Sequence, residues 1–207
     1  MASVNSNYLL AVESAISGGS IALFRGNDFV SGASGESSVS RAEDLLPRII
    51  DLLDEAGVGR NQVNRIAVSL GPGSYTGLRI GIATVMGLCR GLEIDYVGVP
   101  VFDAVAFEYK KQYSSIVLPM GKSDICVSDG ESGGPRVTSL EALKAEFERA
   151  DATTILAHSN LIPALIERYP DIVDIGTNLA KFIGSAALDR PPSSTLEPIY
   201  IQNPRFG

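Results

Sequence analysis

Residues Gly71 to Gly81 read GPGSYTGLRIG, a glycine-rich loop set between a strand-like run and a helix-like run. Exposed backbone amides at the start of a helix attract anions, so phosphate is the first ligand to consider. A P-loop, however, needs Lys followed by Ser or Thr after its last glycine, and here Gly77 is followed by Leu78 and Arg79. The dinucleotide fingerprint also fails, because the glycine spacing is wrong and no ribose-binding acid stands at the usual distance. Gly71, Gly73 and Gly77 therefore read as permitting a tight turn and close packing of the next helix, within a loop segment of Gly71, Pro72, Gly73, Ser74, Tyr75, Thr76 and Arg79. Arg79 and Arg90 share nearly one direction on that helix, where a carboxylate, a phosphate or the rim of an interface would each suit them.

Other reactive side chains are sparse. Glu13, followed by Gly18, Gly19 and Ser20, could imitate the phosphate turn of an ATPase, but the Asp expected to position attacking water is missing. A structural role for Glu13, in a turn or an ion pair, is the favoured reading. His158 is the single histidine, so the paired histidines of a zinc peptidase cannot be assembled. It is also the one ordinary base for a nucleophile at Ser74, Cys89 or Cys126, and nothing in the sequence brings it to any of them. Loop hydrogen bonding is its expected use. No cofactor of the chain's own and no metal are expected.

The balance of 17 Lys and Arg against 24 Asp and Glu leaves a net charge of −7, which argues against a broad nucleic-acid-binding face. Two cysteines, one in a helix-like run and one in a strand-like run, predict free thiols and a reducing compartment. The opening MASVNSNYLLAVES has neither a basic start nor a long apolar core, and no stretch reaches membrane-spanning length. A cytoplasmic protein is expected.

The elements that must carry these residues follow from pattern. YLLAVES, SIALFRG and DFVSGAS read as three antiparallel strands, with Gly18, Gly19, Gly26 and Asn27 in the turns. From Ser40 to Ala56 a helical spacing joins Leu45, Ile49, Leu52, Leu53 and Ala56, with Ser40 and Glu43 as a capping box. Pro47 should bend that helix or delay its start. RIAVSL is a strand, Tyr75 to Gly91 a helix, DYVGVP a strand and VFDAVAFEYKK a helix. SSIVLPM and KSDICVSDG resemble a hairpin, SLEALKAEFERA a capped helix, TTILA and SNLIPALIERY a strand and a helix, and TNLAKFIGSAAL the last helix before a Pro-rich tail. The pattern predicts an α/β fold of two units, divided near residues 100–113.

Gly77, Gly81, Thr84, Leu88 and Gly91 alternate four and three apart, so they form one narrow stripe of mostly small side chains. Beside it runs an apolar band of Leu78, Ile82, Val85, Cys89 and Leu92. One sheet covers one face of such a helix, and the other face should meet a second helix or another chain. The preceding helix, with Leu46 and Ile50 beside its main stripe, would widen that surface. The expected interface therefore comprises Leu45, Leu46, Ile49, Ile50 and Leu53 together with Gly77, Leu78, Gly81, Ile82, Thr84, Val85 and Leu88.

VSLGPGSYTGLRIGIATVMGLCRGL resembles the signature of the bacterial TsaB family, also called YeaZ, and VGVPVFDAVA and EPIYIQNP are similar to later family segments. The resemblance covers roughly residues 8 to 108 and the last dozen residues. It implies two RNase-H-like halves of the actin, sugar-kinase and Hsp70 (ASKHA) type, an N-terminal unit at 1–105 and a smaller, divergent one at 106–207. It also implies a non-catalytic partner in making threonylcarbamoyladenosine on tRNA. Such a subunit pairs with the catalytic paralogue TsaD and the ATPase TsaE, forms a homodimer without TsaD, and leaves ATP and metal to those partners. The family's Asp-Thr at the end of the first strand is replaced here by Glu13 and Ser14, which weakens any phosphate or metal-water role at that turn, and its Asp-Ala-Arg by PMGKSDI at 119–125, which marks the second half as divergent. The rival readings are a self-sufficient ATPase or small-molecule kinase of the same fold and a diverged homodimeric binding protein.

Overall fold

The computed structural model describes residues 7–35, 44–110, 112–121, 124–130, 134–148, 154–167, 169 and 171–201. Three apolar runs joined by glycine turns make an antiparallel meander: β1 (Tyr8–Glu13), β2 (Ser20–Arg25) and β3 (Asp28–Ser34). Gly18 and Gly19 take φ of 84° and 74° in the first turn, a region that a side chain disfavours. β4 (Val63–Ser69) then pairs parallel to β1, and β5 (Asp95–Val99) parallel to β4, giving the order β3-β2-β1-β4-β5. The parallel pairings require crossover helices, here α1 (Leu45–Glu55) and α2 (Tyr75–Leu92).

β1 is apolar on both faces because both are covered. Leu10 and Val12 join Leu23, Ile66 and Val68 beneath α1 and α2, whereas Leu9 and Ala11 join Ala22, Phe24 and Ala67 on the opposite side. That opposite side is packed by α3 (Val101–Tyr109) and by α6 (Leu179–Ala187).

The second sheet repeats the plan. β6 (Ser115–Met120), β7 (Asp124–Ser128) and β8 (Arg136–Ser139) form an antiparallel meander, and β9 (Ile155–Ala157) and β10 (Ile172–Asp174) add on in parallel, in the order β10-β9-β6-β7-β8. Its outer face is closed by α4 (Leu140–Phe147) and the short α5 (Ile162–Leu165), through Leu143, Phe147 and Leu165 on Val117, Ile125 and Val127. Its inner face shares one core with α3, α6 and the first sheet. Matching strand order and direction in both halves is the duplicated α/β arrangement that the resemblance implies.

Pro47 is the third residue of α1, within the first turn where its missing N–H is tolerated, so it begins the helix and does not kink it. The capping box at Ser40 and Glu43 lies outside the described residues. The chain also does not divide in order at 105/106, because α6 and the tail return to the first sheet. Ser193 N donates to Tyr96 O at 2.9 Å and Ile199 N to Leu70 O at 2.7 Å, so the tail runs along β5. That division assigns α6 and the residues after it to the second unit, whereas in the structure they pack on the first sheet.

Candidate docking groove and the turn beside it

α1 and α2 lie side by side on the first sheet and leave between them an apolar groove of about 300 Å³. Leu10 and Ile66 of the sheet form its floor, with Ile49 and Leu53 at the foot of α1. Leu46 and Ile50 rise along one side, 44% and 36% exposed, and half-buried Leu88 and Leu92 stand on the other. Gly87 and Gly91 lower the α2 side, and a Cβ built on either would meet nothing within 4 Å. Leu45 lies deeper, in the core below. Thr84 is half-buried on α2, and Met86, 47% exposed, extends the apolar surface beyond the groove.

The N-terminal half of α2 departs from expectation. Gly77, Leu78, Gly81, Ile82 and Val85, expected at an interface, are all buried within the protomer. A Cβ on Gly77 would overlap Ser14 O and lie 2.8 Å from Ala15 Cα, and one on Gly81 would overlap Ser14 Oγ. The notch in the stripe is thus filled by the chain's own β1–β2 turn. The cause is the helix's length: its 18 residues begin against that turn, and only the later part flanks the open groove. Sequence spacing finds the stripe but not which end is already occupied. Gly87, outside the stripe, was missed, as were Leu10 and Ile66, whose strand pattern gives no hint of a gap between the helices above.

The turn is closely tied to both helices. Glu13 is buried, and its Oε1 accepts from Ala15 N at 2.7 Å and Ile16 N at 3.1 Å. Its Oε2 has no hydrogen-bond partner among the described residues. Burial pushes this carboxyl up to about 7, although the two amides and the Arg48 charge act against the rise. Ser14 Oγ donates to Gly77 O at 2.8 Å, and Ser74 N donates to Ala15 O at 2.9 Å. From α1, Arg48 Nη1 donates to Gly18 O at 3.1 Å, and Nη2 to Gly19 O and Ala33 O at 3.5 and 3.4 Å. Glu13 therefore serves as the turn's internal cap, the structural use expected of it.

The signature loop is built for this junction. Gly71 has a φ of 95°, its peptide to Pro72 is cis, and Pro72 and Gly73 are buried. Ser74 Oγ caps α2 by accepting from Gly77 N at 3.3 Å. Tyr75 and Thr76 are exposed, and the Arg79 guanidinium lies 4.4 Å from the Tyr75 ring centroid. The tail adds Tyr200, its ring 5.0 Å from that of Tyr75, a contact across the chain that local pattern could not disclose. Arg90 is exposed in the last turn of α2, where a cation suits the helix end.

The nucleophile candidates do not converge. Ser74 caps α2, and Cys89 Sγ donates to Asp95 O at 3.6 Å. His158 is fully buried beyond β9, where its Nδ1 accepts from Asn160 N at 3.2 Å. Burial pushes His158 down to about 4 and the Cys89 and Cys126 thiols up to about 11 and 12, so none is poised for chemistry near neutral pH. Among the described residues no group of three or more His, Cys, Asp or Glu side chains could hold a metal ion.

Comparison with known proteins places this arrangement. Residues 36–122 match the family described as "TsaD: tRNA N6-adenosine threonylcarbamoyltransferase". The tRNA threonylcarbamoyladenosine biosynthesis protein TsaB of Escherichia coli is 34% identical over 99 residues, 47% of this chain and 42% of that protein. The matched segment thus spans less than half of that curated relative. The structure of YeaZ from Pseudomonas aeruginosa superposes with a TM-score of 0.63 at 23% identity, covering 94% of this chain and 100% of that one. An activator of 2-hydroxyisocaproyl-CoA dehydratase from Clostridium difficile, solved with bound ADPNP, shares the fold at TM-score 0.61 and 10% identity, over 88% of this chain and 94% of its own. In its signature loop, its duplicated sheets and these matches, the chain is similar to proteins of the TsaB (YeaZ) family.

Proposed function

We propose that this chain acts in tRNA threonylcarbamoyladenosine biosynthesis as a non-catalytic accessory subunit that docks on the transferase TsaD through the α1–α2 groove. The observation that carries the reading is the open apolar groove beside an otherwise closed core, with Leu46 and Ile50 standing in solvent. Each large aliphatic side chain removed from water contributes roughly 1.5–3 kcal/mol, so a helix laid along the groove has a substantial driving force. Gly87 and Gly91 let a partner backbone approach closely. Without TsaD, the same surface pairs two copies of the chain. ATP and metal belong to the partners TsaD and TsaE, in keeping with a first turn whose one carboxylate is engaged in capping its own backbone. The cytoplasm is the compartment this role requires.

The test is to mix the purified chain with TsaD and TsaE and to follow both complex formation and tRNA modification. Complex formation with TsaD, and modification that depends on this chain, are expected. Absence of any complex with TsaD rejects the reading, and ATP turnover by the isolated chain that is lost in Glu13→Ala would replace it with that of an ATPase.

A further inference from the structure

The β1–β2 turn touches both helices that form the groove, α1 beside it and α2 at its N-terminal end. It meets α2 through Ser14 Oγ on Gly77 O and through Ala15 O on Ser74 N, and it meets α1 through Arg48 on Gly18 O and Gly19 O. Arg48 lies between Leu46 and Ile50 in sequence, so its hold on the turn fixes the segment that carries the groove's two exposed aliphatic side chains. At the centre of the turn is a buried carboxyl with one oxygen unpartnered among the described residues. An atom of that kind is costly in either protonation state, and its surroundings decide which state wins.

We propose that the ionisation of Glu13 is coupled to the docking groove, with Arg48 as the positioning residue that transmits it. This rests on the groove being the docking site. Arg48 of α1 is the charged group acting on Glu13. Asp44, just before α1, acts in turn on Arg48. β2 places Ser20 opposite Glu13, β4 ends in Ser69, and α2 is capped by Ser74, none of which titrates near neutral pH. Ionised Glu13 attracts Arg48 and draws α1 onto the turn. When Glu13 takes up a proton, Arg48 keeps the Asp44 charge at the start of its own helix but only neutral carbonyl acceptors on the turn, and α1 with Leu46 and Ile50 is held less firmly. A groove held in one shape binds with less ordering cost, so docking is tighter on the alkaline side of the Glu13 titration. Coupling between sites is reciprocal, so docking must also make Glu13 give up its proton more readily.

The experiment has two arms. In the chain alone, NMR follows the Glu13 carboxyl carbon and the Ile50 methyl groups across a pH titration. The two are expected to report one shared midpoint, and the Ile50 response should vanish in Glu13→Gln and in Arg48→Gln and return in part in Arg48→Lys. An Ile50 signal indifferent to the Glu13 midpoint overturns the proposal whether or not any partner binds. In the second arm, calorimetry measures TsaD affinity on both sides of the midpoint. Affinity is expected to rise by roughly fivefold or more with deprotonation, at the low end of couplings between sites, and to lose that pH response in Glu13→Gln. Binding with no change across the midpoint overturns the coupling and leaves the docking reading intact. No binding at any pH rejects the docking reading, and the first arm then decides the coupling by itself.

Discussion

The hydroxyl of Ser14 occupies the place where Gly81 would carry a side chain. That contact assigns the first half of α2 to the protomer's own interior. Gly81→Leu therefore damages the fold and is not a clean probe of pairing. Even Gly81→Ala is expected to lower unfolding stability by about 1–3 kcal/mol, the usual range for overpacking a closed site. Gly87→Ala faces open space in the same helix and should raise stability by up to about 1 kcal/mol, through helix propensity alone. Urea unfolding of the two variants checks the contrast.

Gly184 of α6 lies against the Phe24 ring so closely that a Cβ would overlap it. This is where the last helix seats on the first sheet, in the core shared by both halves. Gly184→Ala should cost about 1–3 kcal/mol and, because the core is shared, should lower the unfolding midpoint of both halves in a single transition. Calorimetry that resolves two independent transitions would contradict a common core.

Two buried groups give the chain opposite pH responses. Glu13 is raised from 4.5 to about 7, so its contribution is fully present below 4.5 and is lost as pH rises through 7. His158 is lowered from 6.5 to about 4, so its contribution is present above 6.5 and is lost as pH falls through 4. Each is worth on the order of 3 kcal/mol, and between pH 4.5 and 6.5 they nearly cancel. Stability of the wild-type chain should be almost flat across that window. Glu13→Gln should unmask a rise with pH, and His158→Gln a fall, in denaturant titrations repeated across pH. The same slope in both variants would contradict the assignment.

How much of this was legible depended on how local the signal was. The first meander, α2 and β5 follow from apolar runs bounded by glycine, and the hairpin β6–β7 from two runs separated by Gly121. β8 and β10 were missed, since four and three residues are too few for alternation to stand out, and Arg136 and Asp174 dilute them further. The groove was half legible. Spacing identified Leu46, Ile50 and Leu88, but the filling of Gly77 and Gly81 depends on a turn more than sixty residues earlier in the chain. Arg48 lies off the apolar stripe of its helix, and only the fold shows it reaching back to Gly18.

In the absence of TsaD, the exposed apolar side chains should drive pairing of the chain with itself. Leu46→Ser combined with Ile50→Ser should shift sedimentation toward monomer with only a modest loss of unfolding stability, because both side chains are already partly in solvent. Unchanged self-association would place the homodimer contact elsewhere.

The most direct test of the central claim is the affinity of a Gly91→Arg variant for TsaD, measured by calorimetry beside the wild-type chain. Gly91 borders the groove and faces open space, so the arginine is accommodated in the free protomer while obstructing an incoming helix. A variant with wild-type circular dichroism and unfolding midpoint but at least roughly tenfold weaker binding, a loss of about 1.4 kcal/mol, is the predicted result. A folded variant that binds TsaD as tightly as the wild type would contradict docking through this groove.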